Sequence, residues 1–576
     1  MRILVLSPFA NIWNHASLEA VVADSLRASG HDITILRCDG LLGSFCLAMQ
    51  ESGLNALDYK SKSKKICNSC NRRAKVIDNS YNFKTSSIDE FWEIGDESWL
   101  NGNLNQLNKS NWHSFEIDSM PIGGYAAYEF LLTHKINSLE ISDELWPAYV
   151  DQLKSSLVMH RVSHRVLAKY KPEKVIVLNR LYSVNRIFGH ASDEMGIPCF
   201  SLSMGTQREK YGSSFAIYKN SQAEIEIAHS DSWGKHKSQA LKFDQVIQVR
   251  NHLIEISKAK SPFTYSAKST GLKNQDVHSI IGSDSGKKTI LAITSSEDER
   301  FASDVAKVLP YSILKLDSEI FSSQAEWLEF LIENLQHSRD LQLVIRIHPR
   351  LFKNKRDGVD SESGIRFREL LTSLPENVHV NWPEQNVSLM EVAQITSVAL
   401  NASSSAGIEL LALGIPVVQH GSKRLFSYPP ELNYAVESRD EYLVALHEAL
   451  LAGRQLNNSI AAFRWLSFLF NRVARSVDDR LPDRSKWTML RVFNGISLRT
   501  KLPVPSFLLT SLEKLEIRSG MRKLNASEDI DKFVQGNYQN LADLIEKEIE
   551  PTESEKDFEG KLILEAIEEI LLVTKK

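Results

Sequence analysis

Short apolar runs alternate with amphipathic stretches in both halves of the chain. Ile3 to Leu6 is a run of branched apolar residues. A loop, Pro8 to Asn14, follows it. From His15 to Ser29 the apolar positions Leu18, Val21, Val22 and Leu26 recur at helical spacing. Gly30 ends that helix, and Asp32 to Leu36 reads as a second strand. Strand, loop, helix and strand in this order open a doubly wound parallel sheet. Ligands of such sheets gather at the carboxyl ends of the strands, here the loop Ser7 to His15.

The same rhythm returns twice. A long helix is predicted from Asp143 to Tyr170, then a strand at Lys174 to Leu178, a helix at Val184 to Met195 and a strand from Pro198 that ends at Met204 and Gly205. Residues 257–288 are rich in Ser, Lys and Gly without apolar periodicity and read as a domain linker. Beyond it, strands are predicted at Thr289 to Thr294, Leu341 to Ile347, Val378 to Trp382, Ser397 to Leu400 and Pro416 to Gln419, with helices between them. Short strands alternating with helices imply a second parallel sheet. The expected architecture is α/β, with two Rossmann-like domains facing a cleft. Residues 1–256 form the first domain, with an irregular polar insertion at about 41–120. Residues 289–455 form the second, and 456–576 a helical extension. Residues 541–570 hold 11 acidic and 3 basic side chains, so the extension ends in an acidic, helical tail.

Composition adds mainly exclusions. At ~150 residues per domain, 576 residues give three to four domain equivalents. Hydrophobic residues at 43% and charged residues at 24% exclude disordered and fibrous classes. A net charge of −4 spread over this length argues against bulk nucleic-acid binding, which needs a concentrated basic face. No apolar stretch approaches the ~20 residues of a spanning helix, and the N-terminal run is too short for a signal peptide. The chain reads as cytoplasmic, with peripheral contact at the inner face of a membrane left open.

Three segments carry candidate chemistry, all at strand ends of the second half. Leu343 to Arg350 (LVIRIHPR) delivers Arg346, His348, Pro349 and Arg350 to the crevice, where cations and an imidazole suit a phosphate or a base. A solvated strand-end turn fits the segment as well. In Ala399 to Gly421 (ALNASSSAGIELLALGIPVVQHG) a strand leads through Ser403, Ser404 and Ser405 into a helix. Hydroxyls and free N–H groups at a helix start suit an anion, and they equally suit plain N-capping. Glu409 lies one turn from Ser405, on the same face, where a carboxylate can accept hydrogen bonds from ribose hydroxyls. Thr294 to Arg300 (TSSEDER) adds Ser295 and Ser296 as phosphate contacts and Glu297, Asp298 and Glu299 as general-base candidates, while a solvated acidic turn fits these carboxylates equally.

Taken together, TSSEDE, FSSQAEWLEFL (Phe321 to Leu331), IRIHPR and NASSSAGIELLALGIPVV resemble the bacterial capsule-polysaccharide group of GT-B glycosyltransferases, which includes Kdo-transferring enzymes. The His-Pro element with a downstream Ser pair is similar to that of GT-B sialyltransferases. The resemblance is densest from Thr289 to Gly421, and the N-terminal SPFANIWNHASLEAVVADSLRASGHDITIL resembles the opening of a GT-B acceptor domain. It implies a nucleotide-sugar donor, CMP-linked by preference, and a glycan or glycolipid acceptor. By that resemblance His348 and Pro349 contact the donor nucleotide and Ser403 to Ser405 hold its phosphate. His15, in the loop after the first strand, takes the place of a catalytic base. A structural or capping role suits His15 too. Asn11, Asn179, Arg180, Gly205 and Thr206 are acceptor-cleft candidates from their strand-end positions. No DxD-like motif accompanies the donor segments, so no catalytic metal is expected. The rival readings are a CDP-glycerol-type glycerophosphotransferase, a non-catalytic binding module of the same fold and a GT-B-type nucleotide-sugar epimerase.

Five cysteines exclude a disulfide scaffold. Four of them, Cys38, Cys46, Cys67 and Cys70, are spaced C-x7-C-x20-C-x2-C. The final pair has metal-knuckle spacing, and four thiolates suit a structural zinc, with free thiols and an iron–sulfur or redox role as the alternatives. Around that pair stand Lys60, Lys62, Lys64, Lys65, Arg72, Arg73 and Lys75 without an acid, a basic run that reads as a solvated loop or as a contact for an anionic acceptor or membrane surface.

Overall fold

Parallel strands buried on both faces need continuous apolar runs, and the predicted strands supply them. The computed structural model describes residues 1–54, 62–210, 212–219, 227, 230–259, 264–307, 320–354, 358–402, 404–420, 428–477, 511, 514–515, 527–545 and 551–574. Ser403 and Lys60 lie outside the described residues. The first domain is built on β1 (Arg2–Leu6), β2 (Asp32–Arg37), β3 (Lys84–Ser87), β4 (Lys174–Leu178), β5 (Cys199–Met204) and β6 (Ser214–Lys219). The second is built on β7 (Lys288–Ile293), β8 (Leu341–Arg346), β9 (Val378–Asn381), β10 (Thr396–Asn401), β11 (Val417–His420) and β12 (Tyr434–Val436). Ile3, Leu4, Val5 and Leu6 are each at most 1% exposed, as a central strand requires.

The second sheet has the order β12-β11-β10-β7-β8-β9 with every pair parallel. The chain therefore winds outward from β7 through β8 to β9, then returns to β10 and winds the other way. The switch point falls between β7 and β10, where the loops after the two strands diverge and leave a crevice. With β13 (Ala474–Ser476) the first sheet has the order β13-β6-β5-β4-β1-β2-β3, with its own switch between β1 and β4. The fold class is thus as expected, α/β with two Rossmann-like domains facing a cleft.

Three expectations about organisation need correction. Residues 41–120 are not a separate unit. The helix Ser63–Tyr81 and β3 extend the first sheet by one parallel strand, and Leu42, Phe45, Trp112 and Met120 share a core with Leu4, Leu157 and Val177. The polar strand KTSS escaped the apolar pattern because it is a sheet edge, with Lys84 and Thr85 exposed. Residues 257–288 are more than a linker. They include the helix Asn274–Ile281, and Tyr265 and Ser266 line the interdomain cleft. The C-terminal extension is no appendage either. After the helix Leu456–Phe468 the chain crosses back, and β13 (Ala474–Ser476) pairs antiparallel with β6. The helix Ser527–Gln535 packs on the first domain through His31–Asp531 (2.6 Å), Arg475–Asp529 (2.8 Å) and the Phe200–Phe533 ring contact. The acidic terminal helix Glu553–Thr574 buries Ile563, Ala566 and Ile570 against the second-domain side, with fully buried Glu559 accepting from Arg464 (2.5 Å).

The two domains are joined near the crevice by polar contacts. Lys135 ends the helix Ile122–His134 in a left-handed conformation, and its buried ammonium donates to the carbonyls of Arg350 (2.7 Å), Phe352 (3.2 Å) and Val359 (2.8 Å). Asn137 donates to Glu297 (3.2 Å) and Ser363 (2.8 Å), and Arg186 to the Lys307 carbonyl (2.5 Å).

Candidate functional site

The crevice at the β7/β10 switch point opens into a cavity of about 200 Å3 between the domains. Its walls carry Thr294 and Glu299 after β7, Arg346, His348 and Pro349 at the end of β8, and Ser404, Ser405 and Glu409 after β10. Arg208 reaches it from the first domain, and Tyr265 and Ser266 from the connecting segment.

Hydrogen bonds fix the imidazole of His348. Its backbone N–H donates to Thr294 Oγ1 (2.9 Å), while its Nδ1 accepts the Arg350 N–H (3.3 Å) and faces Ser296 Oγ (3.4 Å). With Nδ1 accepting, the neutral ring carries its proton on Nε2. Burial, with Arg350, Arg346 and Lys135 adding positive charge, pulls its pKa down to about 3, so the ring is neutral at pH 7. Pro349 starts a short 3-10 turn that this imidazole caps. Tyr265 stands 5.8 Å away, ring to ring, at 56°.

Arg346 is buried and anchored by Asn381 Oδ1, the Val387 carbonyl (3.0 Å) and Ser266 Oγ (3.2 Å). Burial lowers its pKa to about 10, against the pull of Glu391 and Glu409, so it remains a cation. Glu409 is half-buried opposite it. Burial pushes that carboxyl up to about 7, against the charges of Arg208 and Arg346.

The serine loop is held from beneath. Asn401 accepts the Ser404 N–H (2.9 Å) and donates to the Ser404 carbonyl (2.8 Å) and to Tyr428 Oη (3.0 Å). Tyr428 donates to Gln419 (2.8 Å) and Asn433 (3.2 Å). Gly407 is required here, since a Cβ would stand 1.9 Å from Tyr428 Oη and 2.5 Å from Asn401 Nδ2. The helix that follows, Ala406–Ala412, has only seven residues. A helix this short contributes little dipole, and the hydroxyls and nearby charges carry the site's polarity.

The acidic turn after β7 divides its roles differently from the expectation. Glu297 accepts from the Gln324 N–H (2.8 Å), Asn137 and Ser363 Oγ (2.5 Å). Asp298 is buried and ion-paired with Arg350, which also donates to the Leu132 carbonyl (3.2 Å). Both carboxylates are committed to the domain junction and neither lines the cavity. Glu299 is the acid of this turn that does. Ser295 does not line the cavity and donates its backbone N–H to Gln324 (2.7 Å), and Arg350 serves the ion pair instead of the cavity.

The first-domain candidates are scattered. His15 is buried on the helix Trp13–Ala28, stacked 5.9 Å from Tyr182, and burial lowers its pKa to about 4. Asn11 donates to Ser52 Oγ (3.3 Å) and accepts from Ser69 Oγ (3.1 Å). Asn179 adopts φ 51° and accepts the Leu181 N–H (3.0 Å). Arg180 is locked beneath the helix Ser183–Glu194 by Asp193 and packs on Gly189. Gly205 makes room for Ser214 Oγ, which a Cβ would meet at 2.1 Å. None of these residues, nor Thr206, lines the 200 Å3 cavity. Arg208, two residues beyond Thr206, does, and sequence reasoning passed over it and Tyr265 and Ser266.

Cys38, Cys46, Cys67 and Cys70 come together around one small pocket beneath the loop after β1. Among the described residues no helix is long and apolar enough to cross a membrane.

No family model and no curated relative matches the chain. Solved structures with a similar course include a β-Kdo 2,4-transferase, KpsC, from Thermosulfurimonas dismutans, 12% identical over 53% of this chain and 81% of its own, with a TM-score of 0.32. The glycosyltransferase SnogD from Streptomyces nogalater is 12% identical over 81% of this chain and 95% of its own, at 0.23. A putative UDP-N-acetylglucosamine 2-epimerase from Listeria monocytogenes is 9% identical over 82% and 94%, at 0.26. Similarities this distant carry no argument about activity, which must rest on the site.

Proposed function

We propose that the chain is a glycosyltransferase that binds a nucleotide-activated sugar in the crevice of the second domain and transfers it to an acceptor hydroxyl presented by the first. The observation that carries this reading is the cavity at the β7/β10 switch point. It combines a fixed neutral His348, the cationic Arg346 and Arg208, the hydroxyls of Ser404 and Ser405, and the Tyr265 ring. These groups suit a nucleoside phosphate. His348 Nε2–H and the serine hydroxyls donate to phosphate oxygens, the arginines offset their charge, and the tyrosine face offers a surface for a base. Glu409 accepts from ribose hydroxyls. We take the donor to be CMP-linked and the acceptor to be a surface glycan or glycolipid, from the resemblance of the His-Pro and Ser elements.

In the transfer, an acceptor oxygen attacks the anomeric carbon and the bond from that carbon to the phosphate oxygen breaks. The nucleotide leaves with the electron pair, stabilised by the cations and donors of the cavity. The acceptor proton passes to a carboxylate or imidazole at the cleft. Of the three carboxylates in the turn after β7, Glu299 lines the cleft and is the base candidate, and His15 would act only after moving from beneath Tyr182. Incubation with CMP-, UDP- and dTDP-sugars, read by mass spectrometry, tests the reading. Sugar transfer or donor hydrolysis supports it. Transfer of glycerol phosphate from CDP-glycerol instead would replace it with the glycerophosphotransferase reading.

A further inference from the structure

The sulfurs of Cys38, Cys46, Cys67 and Cys70 come from three separate elements. Cys38 directly follows β2, Cys46 N-caps the helix Leu47–Glu51, and Cys67 and Cys70 are three apart on the helix Ser63–Tyr81, hence on one face. All four line a single pocket of about 20 Å3, together with Pro8, Gly40 and Asn71. About 10–15 Å3 suffices for one water, so the space suits a single ion. Four thiolates around a dication leave a net negative charge, and Arg37 and Arg73 stand close to Cys70 to offset it. All five cysteines of the chain are free of disulfides.

We propose that these four cysteines form a structural tetrathiolate site for a soft divalent metal, zinc by preference, which staples the end of β2 and the start of the helix Leu47–Glu51 to the helix Ser63–Tyr81. Among the described residues no three potential ligands already meet at coordinating distance. The side chains must turn inward, and one χ1 step moves a sulfur by roughly 3 Å. Tetrahedral sulfur coordination suits zinc and leaves no open position for catalysis. The site lies under the first-domain side of the cleft. Asn11 of the loop after β1 accepts from Ser69 Oγ on the helix Ser63–Tyr81 (3.1 Å). On binding metal the Cys70 thiol would lose its proton and its contact with the Pro8 carbonyl, and the metal would support that loop through the helix, independently of which ligand the second domain binds.

The test is metal analysis of the untagged full chain purified without chelators, followed by cobalt substitution. One zinc per chain, lowered at least twofold in Cys67→Ser and Cys70→Ser but kept in Cys199→Ala, is the expected result. Replacement by Co2+ should give an intense thiolate-to-cobalt charge-transfer band. This wild-type spectrum keeps the proposal testable if the serine variants fail to fold. Substoichiometric metal together with no cobalt–thiolate band would overturn it, leaving an apolar thiol cluster. A disulfide between any two of the four in the purified protein would overturn it as well.

Discussion

Replacing Gly407 by Ala tests the support of the serine loop most sharply, because two effects of known size oppose each other. Inside a helix, Gly to Ala normally gains about 1 kcal/mol through propensity. Here the new methyl would lie 1.9 Å from Tyr428 Oη and 2.5 Å from Asn401 Nδ2, so both side chains must move. Tyr428 is 1% exposed, and its hydroxyl bonds Asn401, Gln419 and Asn433. Overpacking a core costs about 1–3 kcal/mol. Each buried hydrogen bond broken adds about 1 kcal/mol or more. Two such bonds and the clash outweigh propensity and leave a net loss of about 2–4 kcal/mol. Asn401 also holds the Ser404 backbone, so nucleotide affinity should fall along with stability. Urea unfolding gives the first quantity and calorimetric titration the second. In a Tyr428→Phe background the hydroxyl is gone, and Gly407→Ala should cost about 1–2 kcal/mol less, a non-additivity expected for touching residues. Gly102, on an exposed helix with nothing near its Cβ position, is the control whose change to Ala should be neutral or stabilising. Unchanged stability and affinity in Gly407→Ala would refute the packing account of this loop.

Four further outcomes follow from the same contacts. Lys135→Met leaves three buried carbonyls without their donor and should destabilise by about 3–5 kcal/mol, read as a lower urea midpoint. Asp298→Asn leaves the buried Arg350 charge with only the exposed Glu299 at 3.4 Å and should cost about 1–3 kcal/mol of stability, whereas a catalytic base would lose rate with stability intact. The Glu409 carboxyl, raised to about 7, keeps its proton in the folded chain while the unfolded chain loses its own above about 4.5. Its contribution to stability therefore falls as pH rises from 4.5 to 7, and Glu409→Gln should gain about 1–3 kcal/mol on wild type between pH 4 and pH 8. An equal difference at both pH values would contradict that. His348→Ala removes a donor to an anionic ligand and should weaken nucleotide binding roughly 10- to 100-fold, with little change in melting temperature.

Legibility in the sequence followed burial. Strands β1, β2, β4, β7, β8 and β10 are central, so their apolar runs announce them, and the rhythm of helices between them implied both sheets. Strands β3 and β13 are edges of polar or mixed sequence, and β6 pairs with β13 across more than 250 residues, so no local pattern marks that pairing. Within the site, Arg346, His348, Ser404 and Glu409 were legible because each follows a buried strand of one sheet or begins the next helix. Arg208 and Tyr265 reach the same cavity from another domain and from a polar connecting segment, which only the tertiary fold brings near. The roles of Glu297 and Asp298 depend on Asn137, Ser363 and Arg350, partners at the domain junction that a strand-end position does not reveal. The clustering of the four cysteines was visible in their spacing. That their insertion shares the main core was not, because its buried residues Leu42, Phe45 and Trp112 are spread among polar neighbours.

The central claim is that the crevice between β7 and β10 binds a nucleoside phosphate. Calorimetric titration of the wild-type chain with CMP, CDP, UDP and dTDP, repeated with His348→Ala, addresses it most directly. The account predicts one site per chain for at least one of these nucleotides, CMP foremost, and a clear loss of affinity in the variant. No binding of any of them by the wild type, or unchanged affinity in His348→Ala, would contradict it.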